Sequence, residues 1–506
     1  MDINTVVKIQ ATIKELMRKK LERGDVQSTI EMIDTFSDFT QKFNNIMRDQ
    51  EIEEILKKIA NIYIPRSNEP SNCDDNTILF YDQVGTTKCL GLQYLRALYE
   101  LGYKIIYINE CWVHAATSQF INLIKPLCSE IHIFNSRGSL FDDTKEFLGV
   151  TISKLIQTVP TNKIILQPAS SGALGQIVLY SLRGYDIYRI VPGDHHFFIG
   201  YDYVHKFIEF RKFGISNAIY NRRITPNKIV RLPYYPVIDN IEKFGGLPKQ
   251  LSNKVIFMAA GATYKFMGSD LFLKFIDWIL ETPNTAFLFV GEAPKAFIKL
   301  SKKKKWKDRF FILGYRKDFV QIVQHIDVLI SSYPFGGGLI CQTAAYFEKP
   351  LLVYRKPEEL EEYIVEDLMG DNGDDLSVTD TDLDAFHEHI KRLSNNKEHR
   401  ISEGKNAKRL LQTESDFVNR LDHLLKNCYP SVSGNIKPIN FQYHVKNYFN
   451  IQNRYRASFL VPLLTRFGFK FFFLFPFLWK ELFKNPKEVA KFTLYHFIYD
   501  RRRHQK

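Results

Sequence analysis

Residues 330–354 read ISSYPFGGGLICQTAAYFEKPLLVY. An apolar run ends at Ser331, three glycines follow (Gly336, Gly337, Gly338), then an apolar stretch of helical length, then Pro350 and a second apolar run. The order strand, turn, helix, strand is the repeating unit of a parallel sheet. Three consecutive glycines predict positive φ and room for a bound group against the backbone. The helix that opens on Gly338 and Leu339 aims its free N–H groups and the positive end of its dipole into that space, which suits a phosphate. An isolated glycine triplet is equally a tight turn between buried elements, so its meaning depends on the flanking chain.

Moving outward, the same alternation starts at residue 254. A strand at 254–259 leads into Gly261, and a helix at 269–280 follows. A strand at 286–290 is stopped by Gly291 and Glu292, and one at 309–313 by Gly314. A helix at 319–324 and a strand at 327–331 then reach the triplet, and helices at 380–393 and 403–425 follow the second apolar run. Upstream, strands at 77–82, 104–109, 130–134, 163–167 and 186–191 alternate with helices at 89–101, 144–159 and 172–182. Shorter strands at 201–210 and 228–233 follow, and Pro and Gly punctuate a linker at 233–248. Near-continuous apolar strands separated by helices imply parallel sheets covered on both faces. The fold expected is α/β with two Rossmann-like, doubly wound domains, 73–240 and 250–428. In such sheets ligands bind beyond the carboxyl ends of the strands, which would place the glycines on one wall of a cleft between the domains.

Before and after these domains the pattern changes. Residues 1–72 carry apolar positions at helical spacing, with Gly24 and Asp25 breaking a first run from a second and a third helix at 52–62, which predicts a helical module. Residues 429–506 form a basic, aromatic tail. Its segment 459–479 reads FLVPLLTRFGFKFFFLFPFLW, interrupted by Arg466 and Lys470 and too short between charges to span a bilayer. Aromatics flanked by Lys and Arg, with Arg501, Arg502 and Arg503 beyond, fit a segment lying on an anionic membrane surface. The competing reading is burial against the body of the protein.

A chain of 506 residues has room for a large core without disulfides or metals, and its six cysteines form no CxxC pair. That pattern predicts free thiols in a reducing, cytoplasmic compartment, and no signal peptide is evident. The net charge of +13 predicts an anionic partner. With no nucleic-acid motif, an acidic lipid or a phosphorylated substrate is expected rather than nucleic acid.

Candidate chemistry falls on loops after strands. Asp194, His195 and His196 follow Pro192 and Gly193; a histidine beside a carboxylate suits proton transfer near neutral pH. Adjacent histidines on an extended segment point apart, so one of the two is the expected base. Asp202 and His205, on the expected strand 201–210, lack a recognised ligand spacing, so no metal is expected. Lys265, after Gly261, is a point charge for a diphosphate, and Arg316, after Gly314, adds to it. Gly85 and Thr86 follow the first strand of the first domain and form a second candidate loop.

Residues 76–425 resemble the GT-B glycosyltransferases. The second domain carries the likeness most specifically, in GATYKFMGSDLFLKFIDWILETPNTAFLFVGE and RFFILGYRKDFVQIVQHIDVLISSYPFGGGLICQTAAYFEKPLLVY. The first of these is similar to the part of protein O-GlcNAc transferases and related bacterial enzymes in which a lysine, here Lys265, contacts the diphosphate. DHHFFIGYDYVHKFIEFRKFG with IVRLPYYP resembles the same bacterial enzymes around their cleft histidine. The resemblance implies a nucleoside-diphosphate sugar as donor, held by Gly261, Lys265, Gly291, Glu292, Arg316, Gly336, Gly337, Gly338, Leu339 and Thr343, with no further cofactor. It implies a glycan or lipid-linked hydroxyl acceptor near Gly85 and Thr86, and a base among Asp194, His195 and His196. Two acids of the retaining branch are replaced by Phe335 and Thr343, which favours a base-assisted, inverting reaction. Gly338, Leu339 and Ile340 stand where O-GlcNAc transferases carry an HTT cluster, so protein glycosylation is not implied. The expected role is sugar transfer in cell-surface polysaccharide or glycolipid synthesis at the inner face of the membrane. A glycerophosphotransferase, a sugar-nucleotide epimerase or a non-catalytic membrane-bound partner subunit are the alternatives on this fold.

Overall fold

The computed structural model describes residues 1–484, 486 and 490 apart from 68, 71, 87–89, 112–117, 136–139, 142–145, 170, 239–241, 267–268, 360–364, 371–376, 433–435 and 456–458. Arg501, Arg502 and Arg503 of the basic tail therefore lie outside the described residues, as does Cys89, the expected first residue of a helix. The chain divides into two compact units: residues 1–209, 214–231 and 421–506, and residues 210–213 with 232–420.

The first unit is built on a parallel sheet of β1 (Thr77–Asp82), β2 (Lys104–Cys111), β3 (Glu130–Asn135), β4 (Lys163–Gln167), β5 (Asp186–Ile190), β6 (Lys206–Glu209) and β7 (Ile229–Arg231). Their order is β3-β2-β1-β4-β5-β6-β7. β1 is buried at every position, as expected of a central strand covered on both faces. The strand order reverses between β1 and β4, so the loops that follow these two strands flank the switch point where doubly wound sheets hold ligands.

Helices α1 (Ile3–Glu22), α2 (Val26–Phe43) and α3 (Gln50–Tyr63) precede the sheet. Asp2, Asp25 and Asp49 cap them by accepting from the amides of Thr5, Ser28 and Ile52 at 2.8, 3.1 and 3.2 Å. Their apolar faces share one hydrophobic core with the sheet's helices and with the C-terminal segment. Two buried acids of α2 and α3 reach into the sheet's loops. Asp34 accepts from the amides of Gly172 and Ala173, both at 2.9 Å, and so caps the helix Ala173–Ser181. Glu53 accepts from the amides of Gly200 and Tyr201 at 2.8 and 3.1 Å and from the Tyr180 hydroxyl.

The aromatic tail divides between the two fates open to it. Phe459, Leu460, Leu463, Leu464, Phe467, Phe471, Phe475 and Leu478 are buried in the core that also contains α1 and α2, and Arg466 pairs with Glu31. Phe469, Phe473, Trp479 and Phe483 stay exposed, Phe473 by 84%. No single helix among the described residues is long and apolar enough to cross a membrane.

The second unit holds β8 (Val255–Ala260), β9 (Thr285–Val290), β10 (Phe310–Ile312), β11 (Val328–Ile330), β12 (Leu351–Tyr354) and β13 (Thr379–Asp380), all parallel, in the order β10-β9-β8-β11-β12-β13. Its switch point falls between β8 and β11. The opening glycine run follows β11 and Gly261 follows β8, so both border that switch point.

Two expectations are corrected in the loops. The strand expected over 201–210 is only Lys206–Glu209, and Asp202 and His205 lie outside it. Its apolar start is buried by loop packing instead: the Phe198 ring lies 4.2 Å from the Arg189 guanidinium and 4.6 Å from that of Arg222, and stacks on Tyr201. The helix expected over 403–425 is two helices, Lys397–Arg409 and Glu414–Leu425. They are separated where the Gln412 amide turns to the carbonyl of Met369.

Candidate active site

In the second unit the glycine turns after β8, β9 and β10 are laced together. The Gly261 amide donates to the Val290 carbonyl at 3.2 Å, and the Gly291 amide to that of Gly314 at 2.8 Å. Gly291 has φ +125°, and a Cβ there would lie 2.6 Å from the Gly261 carbonyl oxygen, so only glycine fits this closure. The Thr263 hydroxyl donates to the Glu292 carbonyl at 2.6 Å, holding the short turn Thr263–Phe266 that carries Lys265.

The glycine triplet works differently from its expectation. Gly337 has φ −117° and Gly338 is already helical, so neither uses the left-handed region. Their lack of a side chain matters for space. A Cβ on Gly338 would press on Leu368 at 3.2 Å, and one on Gly337 would sit 3.4 Å from Ser332 Oγ and 3.8 Å from Lys265 Nζ. The Lys265 ammonium thus lies beside the N-cap of the helix Gly338–Tyr346, whose first amides no side chain among the described residues caps. Among the described residues this ammonium makes no hydrogen bond and no ion pair, and burial draws its pKa below the ordinary lysine value. A desolvated cation and uncapped amides converge on one volume, and an anion there would satisfy both.

Other expected members are engaged elsewhere. The Thr343 hydroxyl donates to the Leu339 carbonyl of its own helix at 2.9 Å. Leu339 itself is exposed. Arg316 grips Asp318 through two nitrogens, one at 2.7 Å, and that guanidinium holds the Asp318 carboxyl down to about 2. Asp318 in turn accepts from the Gly245 amide at 2.7 Å, so Arg316 fastens the residue 245–246 segment.

In the first unit, Asp194 is fully buried, and its carboxylate lies 3.0 Å from His195 Nδ1. Its carbonyl accepts from Asn217 at 2.7 Å and Arg222 at 2.6 Å. Gly214 leaves room for this group, since a Cβ there would fall 2.9 Å from Asp194 Cβ. The two imidazoles are 4.0 Å apart by ring centroid but face different surroundings. The His195 side chain keeps 34% of its surface in solvent. His196 folds back toward Gly193, and burial, with His195 adding, holds it well below the ordinary imidazole range. His444 Nε2 lies 3.2 Å from the His195 carbonyl, and the Tyr448 ring stands against both histidines.

Residues 239–410 match the family model of glycosyl transferases group 1. That segment, in the second unit, is similar to group 1 glycosyl transferases, and the two parallel sheets have the GT-B fold. A glycosyltransferase from Rickettsia africae has the same fold at TM-score 0.50 and 12% identity, with 70% of this chain and 98% of that one covered. An O-GlcNAc transferase mutant from Thermobaculum terrenum aligns at 0.48 and 10% identity over 84% of this chain and 78% of its own. The Anabaena protein HepE, solved with UDP and glucose, aligns at 0.48 and 12% over 69% and 99%. No curated protein matches the sequence.

In the first unit, Gly85 and Thr86 follow β1 beside the switch point. Gly85 has φ +59°, and its amide and that of Val84 donate to the buried Asp82 carboxylate at 3.2 and 2.7 Å. Sequence reasoning missed the polar network behind this loop: Gln83 donates to Glu110 at 2.8 Å and to the Gly172 carbonyl at 2.9 Å, and Gln176 donates to Gln83 at 2.9 Å. It also missed His444 and Tyr448. The only available signal for Gln83 and Glu110 was a polar residue ending an apolar strand, and His444 and Tyr448 gave none.

Proposed function

We propose that this glycosyltransferase moves a sugar from a nucleoside diphosphate to a hydroxyl acceptor, in synthesis of a surface polysaccharide or glycolipid. The observation that supports it most is the Lys265 ammonium, which has no hydrogen bond or ion pair among the described residues, beside the N-cap of the helix Gly338–Tyr346 at the switch point of the second unit. Placed there, a diphosphate gains charge-assisted contacts that strengthen as the sugar departs and negative charge builds on the leaving oxygen. His195, rather than His196, is the proposed base. Asp194 takes the Nδ1 proton and leaves Nε2 open to an acceptor hydroxyl, while His196 lies inward. The proposed setting is the cytoplasmic face of an anionic membrane, with the exposed Phe469, Phe473, Trp479 and Phe483 among the exposed Lys470, Lys480 and Lys484 as the contact surface.

Donor binding and turnover across a panel of nucleotide sugars test the reading, with Lys265→Ala, His195→Ala and His196→Ala beside the native chain. Lys265→Ala is expected to lower turnover by a factor on the order of 10²–10³, as does the loss of one preorganised charge-stabilising donor. His195→Ala should abolish transfer while donor binding persists. No binding of any donor by the native chain would overturn the proposal, and unchanged binding by Lys265→Ala would remove that residue from the site.

A further inference from the structure

Outside the proposed active site, two helices of the second unit bring three metal-ligating side chains together. His389 lies on the buried face of the helix Leu383–Asn395, and His399 and Glu403 stand one turn apart on Lys397–Arg409. One Glu403 oxygen is 2.8 Å from His389 Nε2 and the other 2.7 Å from His399 Nε2. One ligating atom from each of the three falls within 4.8 Å of the others. Two further features give this cluster the form of a metal site. Asp380 Oδ2, at the end of β13, sits 2.7 Å from His389 Nδ1, which fixes the ring with Nε2 turned to the cluster, the arrangement that supports ligating histidines. His399 Nε2 is shut off from solvent, and its approach to Glu403 is too misaligned to be a hydrogen bond, so a buried nitrogen points into the cluster unsatisfied.

We propose that His389, His399 and Glu403 bind a zinc-class divalent cation, with water completing the coordination. Two imidazoles and one carboxylate select zinc, cobalt or nickel over magnesium or calcium, which take all-oxygen sites. The His399 and Glu403 side chains keep 28% and 26% of their surface exposed, which leaves an open side for the water. The ion would tie the two helices to each other and, through Asp380, to the edge of the sheet. The spacing His-x9-His-x3-Glu matches no motif weighed in the sequence, since its three groups meet only when the second helix folds back on the first.

The test uses the tag-free full chain, stripped with chelator and titrated with zinc against a chromogenic competitor, with magnesium in parallel. Zinc is expected at one equivalent per chain with a raised unfolding temperature, and magnesium is expected to do neither. His399→Asn and Glu403→Gln, at partly exposed positions, should each weaken binding at least tenfold with an unchanged circular dichroism spectrum. Cys73→Ser with Cys428→Ser, which removes the thiols exposed among the described residues, should leave it intact. Cobalt loading of the native chain should give a ligand-field spectrum without thiolate charge transfer. Absence of tight zinc binding, or binding that survives His399→Asn and is lost with the thiols, would overturn the proposal and leave the cluster as proton-bridged ion pairs.

Discussion

Replacing Asp34 by Asn tests how the N-terminal helices are joined to the first domain. Two effects oppose each other at this carboxyl group. The amides of Gly172 and Ala173 favour its charged form, whereas full burial, with Asp38 and Glu110 nearby, favours the neutral one. Burial prevails and pushes the group up to about 8, against an ordinary 3.8. The folded state therefore holds a proton that the unfolded chain has lost, and this contribution to stability declines as pH rises from about 4 until the folded group itself ionises near 8. At about 1.4 kcal/mol per pH unit, the decline between pH 5 and pH 8 is at most about 4 kcal/mol. Asparagine keeps an oxygen for both amides and carries no titrating proton. Urea unfolding of the first domain at pH 5 and pH 8 should show native stability falling with pH and the Asp34→Asn variant falling less. Asp38, itself raised by burial, leaves a residual slope that Asp38→Asn should reduce further. Equal pH slopes for the native chain and Asp34→Asn would show that the two amides hold an ionised carboxylate, and the reasoning from burial would fail.

Two further outcomes follow from packing. Gly291→Ala places a Cβ 2.6 Å from the Gly261 carbonyl at φ +125° and should cost about 2–4 kcal/mol and weaken donor binding. Gly314→Ala, at φ +66° with nothing within 4 Å, should cost only about 1–2 kcal/mol; calorimetry of the two variants checks the contrast. Phe471→Ala removes a fully buried ring from the core shared with α1 and α2 and should cost about 3–5 kcal/mol, whereas Phe473→Ala, 84% exposed, should change stability by less than about 0.5 kcal/mol. Equal effects in thermal unfolding would mean that the segment does not pack as described. Phe473→Ala should nonetheless reduce sedimentation with anionic vesicles.

The parallel sheets were legible because their central strands are buried on both faces and read as unbroken apolar runs, several of them closed by Gly261, Gly291 and Gly314. The site was legible only in part. Lys265 could be placed beside the glycine triplet from its position after a strand. That Thr343 would bond to its own helix, and that Arg316 would be taken up by Asp318, depends on side-chain rotamers and short-range competition that spacing does not encode. Positive φ, one of the two reasons given for the triplet, is not used by Gly337 or Gly338. Gly337 and Gly338 are small to admit Leu368, Ser332 and the Lys265 ammonium, not to reach a left-handed backbone.

What sequence order concealed is that the two flanking segments shape the histidine loop. From one side, the Asn44 side-chain oxygen Oδ1 accepts from the Phe197 amide at 2.8 Å, Gln41 Nε2 donates to the Phe197 carbonyl at 2.8 Å, and Glu53 holds the amides of Gly200 and Tyr201. From the other, His444 meets the His195 carbonyl across 249 residues of chain. A loop with its own polar groups needs partners when it leaves the sheet; Asn217, Arg222 and Arg189 of the domain supply some, and the rest come from helices that composition set apart as a separate module and a tail. The backbone around His195 is thus held by the helical module and the tail as well as by the strand that precedes it. This gives a physical reason for the chain to carry these helices as part of the domain: without them the amides of Phe197, Gly200 and Tyr201 and the His195 carbonyl would lose these partners.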